Sequence, residues 1–357
     1  MGCIHLKSNK KPKNIPAIKN IETCPEESPD KPPLKPVQIF SPQLSRTPSS
    51  IKVLEEDQKI YTFEFLEKQT VLIEYNTSNQ ALKKTELGIS LYEESGFAWL
   101  LSEKFFLAGG IDSGSHQEVK SVFIIDPVLK EIFEACQMPF AKRNLRLVQL
   151  NDYIYAIGGV KELKTRKNNT FIYKQDYSNS FSRYSLNNNT WETLPDMVIQ
   201  VENPGCYIWQ GNIWVTGGYF IHNYHEITNQ VQVFNLCDMV WETAQFSLND
   251  KLFGHVCVVV NEEVLVFGGI KENDELNEDC WKIGYIKDQN MKNICEKQIL
   301  EKEFVVNKLI SKMPSGYDTF FPMISWTGKN EIFCFNEDNI LFVFSLQMNT
   351  WTVYNLF

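Results

Sequence analysis

The 357-residue chain contains no apolar run approaching the ~20 residues a membrane-spanning helix needs, which excludes a helical span. Its nine cysteines (3, 24, 136, 206, 237, 257, 280, 295, 334) include no CxxC and no regular pairing, the number is odd, and no secretory signal precedes them. That pattern excludes a disulfide framework or a cysteine zinc site and reads as reduced thiols in a cytoplasmic protein. Positive charge is in deficit: the net charge is −9, so the body of the chain is no nucleic-acid binder. Histidine is scarce, with five residues (5, 116, 222, 225, 255). His222, His225 and Glu226 spell HxxHE, neither of the HExxH and HxxEH zinc orders, and no third ligand can be named beside them. No GxSxG, phosphate-cradling glycine loop or paired catalytic carboxylates stand out. The reading is a non-enzyme without metal or cofactor.

What the chain does contain is a repeat. An apolar run ends in a glycine pair four times, at Gly109-Gly110, Gly158-Gly159, Gly217-Gly218 and Gly268-Gly269, with spacings of 49, 59 and 51 residues. A period of this length marks a repeat architecture. Aromatics make up 13% of the residues, which suits strands. Behind the pairs, three stretches align without gaps: Phe181 to Trp191, Val231 to Trp241 and Leu341 to Trp351. In each an aromatic (Tyr184, Phe234, Phe344) precedes a tryptophan (Trp191, Trp241, Trp351) by seven positions, and Ile125 and Ile132 hold those places after Gly109-Gly110.

Each unit therefore predicts about four short antiparallel strands, with a polar loop after the glycine pair too long for a tight hairpin. One such sheet leaves a bulky face uncovered. Radial packing of the units buries both faces and leaves only short edges, so the expected fold is an all-β propeller. Glycine is required where a strand ends in a positive-φ turn or passes close to a neighbouring blade. The recurrent tryptophans suit the space between blades, with the indole N–H near a polar rim.

A glycine pair followed by a spaced aromatic and tryptophan resembles the kelch motif. Further kelch marks stand at Met138-Pro139 to Arg143, Leu194-Pro195, Met313-Pro314 and Gly254-His255, and the resemblance covers about 58–357. It implies six blades, the first incomplete or irregular; five and seven are the alternatives. A fifth unit, at about 315–357, keeps Phe344 and Trp351 but has Phe333-Cys334-Phe335-Asn336 where the glycine pair should be. A sixth comes from superposing Ile60 to Val71 on Ile340 to Trp351, with Ile51 to Leu54 as its inner strand. The resemblance also implies that His255 is structural and that a protein partner binds the face carrying the loops after the glycine pairs. The longest of these loops, about 160–180, carries Lys164, Arg166 and Lys167 followed by Phe171, Tyr173 and Tyr177. Such residues are enriched at interface hot spots, and loops of this kind carry function.

Residues 1–50 differ from the propeller region, 51–357. They hold nine of the 15 prolines and no tryptophan, a composition that predicts disorder. The first residues, Met1-Gly2-Cys3, resemble the doubly acylated amino termini of Src-family kinases and some G-protein α subunits. The resemblance implies N-myristoylation of Gly2 and palmitoylation of Cys3, although Leu6 stands where Ser or Thr is usual. Lys7, Lys10, Lys11, Lys13 and Lys19 precede the first acid, Glu22, and suit an anionic membrane surface, leaving −14 on the rest of the chain. Three functions follow as expectations: a scaffold or adaptor tethered at the cytoplasmic face of a membrane, a soluble substrate-recognition subunit of a ligase or phosphatase complex, and a propeller enzyme acting on a sugar-like metabolite.

Overall fold

The computed structural model describes residues 18–20, 59–66, 69–167, 170–221, 225–285, 304–314, 324–327, 330–335 and 340–355. They form a six-bladed β-propeller. Blade I has strands Lys59–Leu66, Gln69–Asn76 and Leu82–Glu86; blade II has Gly96–Trp99, Phe105–Ala108, Val122–Asp126 and Glu131–Glu134. Blade III has Arg146–Leu150, Tyr153–Ile157, Phe181–Ser185 and Thr190–Leu194; blade IV has Gly205–Trp209, Asn212–Thr216, Gln230–Asn235 and Val240–Ser247. Blade V has Val256–Val260, Glu263–Phe267, Asp279–Tyr285 and Phe304–Lys312; blade VI has Ile324–Thr327, Glu331–Phe335, Ile340–Ser345 and Thr350–Asn355. Blades II to VI are antiparallel meanders whose first strands neighbour one another around the centre.

The meander gives the ring two ends. Turns between first and second strands, and between third and fourth, lie on one end, the turn face. Connections between second and third strands, and from one blade to the next, lie on the other, the loop face. The second strands are almost continuously buried, as in the fully buried Asn212–Thr216, because there both sides of the blade meet a neighbour.

The residues seven apart are direct cross-strand partners: Tyr184 with Trp191, Phe234 with Trp241, Phe344 with Trp351 and Ile125 with Ile132. Their rings also reach the preceding blade. Phe106 of blade II lies 5.0 Å from Tyr184, Phe181 of blade III lies 4.7 Å from Phe234 and 5.0 Å from Trp241, and Phe267 of blade V lies 5.2 Å from Trp351. Tilted and edge-on pairs of this kind contribute about 0.5–1.5 kcal/mol each beyond the area they bury. Trp191 Nε1 donates to the Cys136 carbonyl at 2.8 Å and Trp241 Nε1 to the Pro195 carbonyl at 3.0 Å, so each indole is bonded to the end of the previous blade.

Blade I closes the ring. Ile60, Tyr61 and Phe63 share one core with Phe105, Leu107 and Ile125 of blade II and with Phe333, Phe335 and Leu341 of blade VI. Its strands differ from the sequence alignment by one position in the blade order. Lys59–Leu66 is the second strand rather than the third, and Val71 lies in the third strand rather than in the tryptophan place. The motif pair is Tyr75 opposite Leu82. The misalignment arises because both segments are equally apolar and blade I lacks the glycines and tryptophan that fix register elsewhere. The expected inner strand, Ile51 to Leu54, lies outside the described residues, as does 286–303 in blade V.

The glycine pairs tie blade to blade. The N–H of Gly110 donates to Lys142 O at 3.0 Å, that of Gly159 to Val201 O at 2.8 Å and that of Gly218 to Leu252 O at 2.8 Å, each acceptor belonging to the loop entering the next blade. At Gly158 φ is +64°, and a Cβ there would fall on the Val201 carbonyl oxygen. Blades I and VI connect second and third strands within two and four residues and carry no such pair. Replacing Gly158 with Ala is expected to cost roughly 2–4 kcal/mol, from the left-handed φ and the displaced carbonyl. Gly114→Ala, with its nearest neighbour 3.6 Å away and no positive φ, should stay within about 0.5 kcal/mol of wild type in chemical denaturation.

Candidate functional site

The loop face carries the longest excursions of the chain. The stretch expected as a polar loop at 160–180 is instead a two-stranded ribbon, Val160–Lys167 paired with Thr170–Tyr177. Its Thr, Phe, Ile and Tyr content suits strands, and pairing satisfies backbone groups that an open loop would leave to water. A shorter ribbon, Tyr219–Ile221 with His225–Ile227, rises from blade IV.

The register of the long ribbon sorts its residues. Val160 faces Tyr177, Lys164 faces Tyr173 and Arg166 faces Phe171, so these positions share one face of the ribbon. Lys167, opposite Thr170, falls on the other face. Lys164 and Arg166 thus hold register positions opposite Tyr173 and Phe171. The root of the ribbon is fixed: Val160 and Arg143 exchange backbone hydrogen bonds at 2.9 and 3.0 Å, and the Glu162 N–H donates to Glu118 Oε1 at 3.0 Å.

Beside that root lies a polar cluster. Arg143 contacts Glu94 at 2.6 Å and Glu118 at 3.3 Å, and Asn144 Nδ2 donates to both Glu94 and Glu202 at 2.7 Å. Burial pushes the Glu202 carboxyl above the usual range, opposed by the Asn144 hydrogen bond and the Arg143 charge. Three carboxylates around one guanidinium leave the cluster acidic, next to the basic ribbon. Backbone bonds continue around the centre, from Asn144 N to Glu94 O (2.8 Å), Asn203 N to Asn144 O (3.0 Å) and Gly254 N to Asn203 O (2.8 Å). All four residues have positive φ: 55°, 53°, 47° and 68° along the chain. The sequence reading missed Glu94, Asn144 and Glu202. A signal was present, since 94, 144, 203 and 254 recur with nearly the glycine-pair period, two residues before each inner strand.

Between the two ribbons lies a groove of 360 Å³, lined by Asn179, Val198, Ile199, Gln200, Phe220, Thr228 and Gln230. Gln232 holds its wall by exchanging hydrogen bonds with the Ile199 backbone at 2.8 and 3.0 Å.

His255 is buried, its Nε2 lies 2.9 Å from Thr216 Oγ1, and burial drives its pKa down to about 3. The Cys257 thiol is 3.4 Å from the same hydroxyl and is raised by burial to about 12. Among the described residues no cluster of three or more His, Cys, Asp or Glu is placed to hold a metal ion. His225 lies in the short ribbon opposite Ile221, and His222 lies outside the described residues. So do Gly2, Cys3, Lys7, Lys10, Lys11 and Lys13; of the tail, Ile18–Asn20 is described, pairing parallel with Glu131–Glu134 of blade II. The expectation of reduced thiols meets one correction. Cys206, Cys237, Cys257, Cys280 and Cys334 are outside any disulfide, but Cys136 is disulfide-bonded. Spacing along the chain carries no information about which thiols meet in space.

The family model of the kelch motif matches residues 142–198, which is blade III with the loop that enters it and its ribbon. No curated protein matches the chain closely enough to count as a relative. The matched unit and the recurrence of its glycine pair in three other blades together support a kelch-repeat propeller.

Lys142 opens that matched segment. It is buried, its Nζ donates to Ser180 Oγ at 3.2 Å and to the Ser180 carbonyl at 3.3 Å, and burial lowers its pKa to about 7. Between pH 7 and the ordinary lysine value near 10.5 the unfolded chain holds a proton the folded chain has shed, so this group's contribution to stability rises with pH in that window. Lys142→Met should therefore stabilise the protein most at pH 7 and progressively less toward pH 10, as read by urea midpoints across the range.

Proposed function

We propose that this chain is a non-enzymatic, kelch-type interaction scaffold that binds a protein partner on its loop face and is tethered to the cytoplasmic face of a membrane by an acylated tail. A kelch-repeat propeller is consistent with an interaction scaffold. The observation that carries the partner site is the ribbon register, which puts Lys164, Arg166, Phe171, Tyr173 and Tyr177 on one face above a rigid ring. Basic and aromatic groups side by side suit a partner segment with acidic and apolar residues; the aromatics supply desolvated contact area and the cations steer approach. Gly2, Cys3 and the following lysines support the tether, since one acyl chain alone binds membranes marginally and a second signal is needed.

Two expected outcomes check this reading. Lys164→Glu with Arg166→Glu should abolish partner capture in quantitative affinity purification, and Tyr173→Ala should reduce it at least about tenfold. Lys83→Glu, on the outer strand of blade I, should leave capture unchanged. Unaltered capture by the ribbon variants would move the site elsewhere. Clickable myristate and palmitate should label the wild type, and Gly2→Ala should lose both labels with an unchanged melting temperature.

A further inference from the structure

Ile18–Asn20 runs parallel to the outer strand of blade II, with Ile18 opposite Ile132 and Asn20 opposite Glu134. That outer strand starts at the turn face, so Ile18 is the end of the paired segment nearer that face. Residues 1–17 can span at most roughly 55 Å at full extension, so an anchored Gly2 holds Ile18 within that distance of its membrane.

The same corner carries an exposed apolar tip. Val128 and Leu129, on the turn between the last two strands of blade II, are 69% and 66% exposed, and Leu101, on the turn between its first two strands, is 58% exposed. The tip is rigid. Asp126 Oδ1 accepts the N–H groups of Val128 and Leu129 at 3.0 and 2.8 Å, and Oδ2 lies 3.3 Å from Lys104 Nζ, linking the two turns. Of the eight large hydrophobic residues exposed among the described residues, five stand on turn-face turns or their first residues, and three of the five are in this tip. Exposed Lys130 adjoins it, and Glu103 is its exposed acid. Exposed Asp152, Asp238 and Glu262 on the turns of blades III, IV and V disfavour contact of those blades with an anionic surface and so oppose a flat approach.

The geometry points to Leu101, Val128 and Leu129 as a second membrane contact, inserting into the interface of an anionic bilayer beside the acylated tail and turning the loop face toward the cytoplasm. This rests on the tether reading above. A myristoyl chain gives marginal, reversible binding, and buried aliphatic groups add to it carbon by carbon.

The test is co-sedimentation of the full chain, produced with an N-myristoyltransferase, on phosphatidylcholine vesicles containing phosphatidylserine. Val128→Asp with Leu129→Asp should weaken partitioning by about tenfold or more at unchanged melting temperature. Phe140→Asp, at an exposed position of the loop face, should bind like wild type. Wild-type binding by the double variant, alongside release by Gly2→Ala, would overturn the tip and leave the tether standing. Release by the double variant with full binding by Gly2→Ala would uphold the tip and remove the acyl anchor. Full binding by both would overturn both.

Discussion

The structure depends on a short backbone contact made repeatedly between neighbouring blades. The second glycine of a pair gives its N–H to the loop that enters the next blade, and the first glycine lies so close to that loop that a side chain would occupy the acceptor's place. A second set of backbone bonds, through Glu94, Asn144, Asn203 and Gly254, links the same blades near the axis. Both sets need positive φ, which is inexpensive for glycine and tolerated by asparagine. Apolar packing between the sheets buries aliphatic and aromatic side chains together, and it is less directional than a hydrogen bond. The backbone ties set the angle at which each sheet meets the next.

These ties also explain the loop face. With the entry loops held, the connection between second and third strands can lengthen without disturbing the ring, and in blades III and IV it folds into ribbons of its own. The long ribbon is anchored by Arg143 and Glu118, which belong to the same polar cluster as Asn144 and Glu202. A platform of this kind holds a binding patch in place while leaving its sequence free to vary. The buried histidine, thiols and lysine in the ring are shifted toward their neutral forms by burial.

The turn face is different in kind. Its connections are short, and its prominent feature is the aliphatic tip of blade II beside the departing tail. One chain thus carries a polar and aromatic loop face, proposed above as the recognition surface, and an opposite face with an apolar corner. The two are separated by the height of the blades, so a partner on one leaves the other free.

The amino-acid sequence by itself determined the repeat, the strand pairs and the closeness of the blades. Gly158-Gly159 with Tyr184 and Trp191 is a local pattern, since each residue acts within one or two strands of its neighbours in the chain. It did not determine the register of blade I, where apolar strands without glycine or tryptophan fit more than one place, nor the ribbon hidden in a basic stretch read as a loop. The cluster of Arg143, Glu94, Glu118 and Glu202 and the disulfide of Cys136 were likewise decided only by tertiary structure. Closing the ring brings together side chains from different blades, and no local period encodes which of them meet.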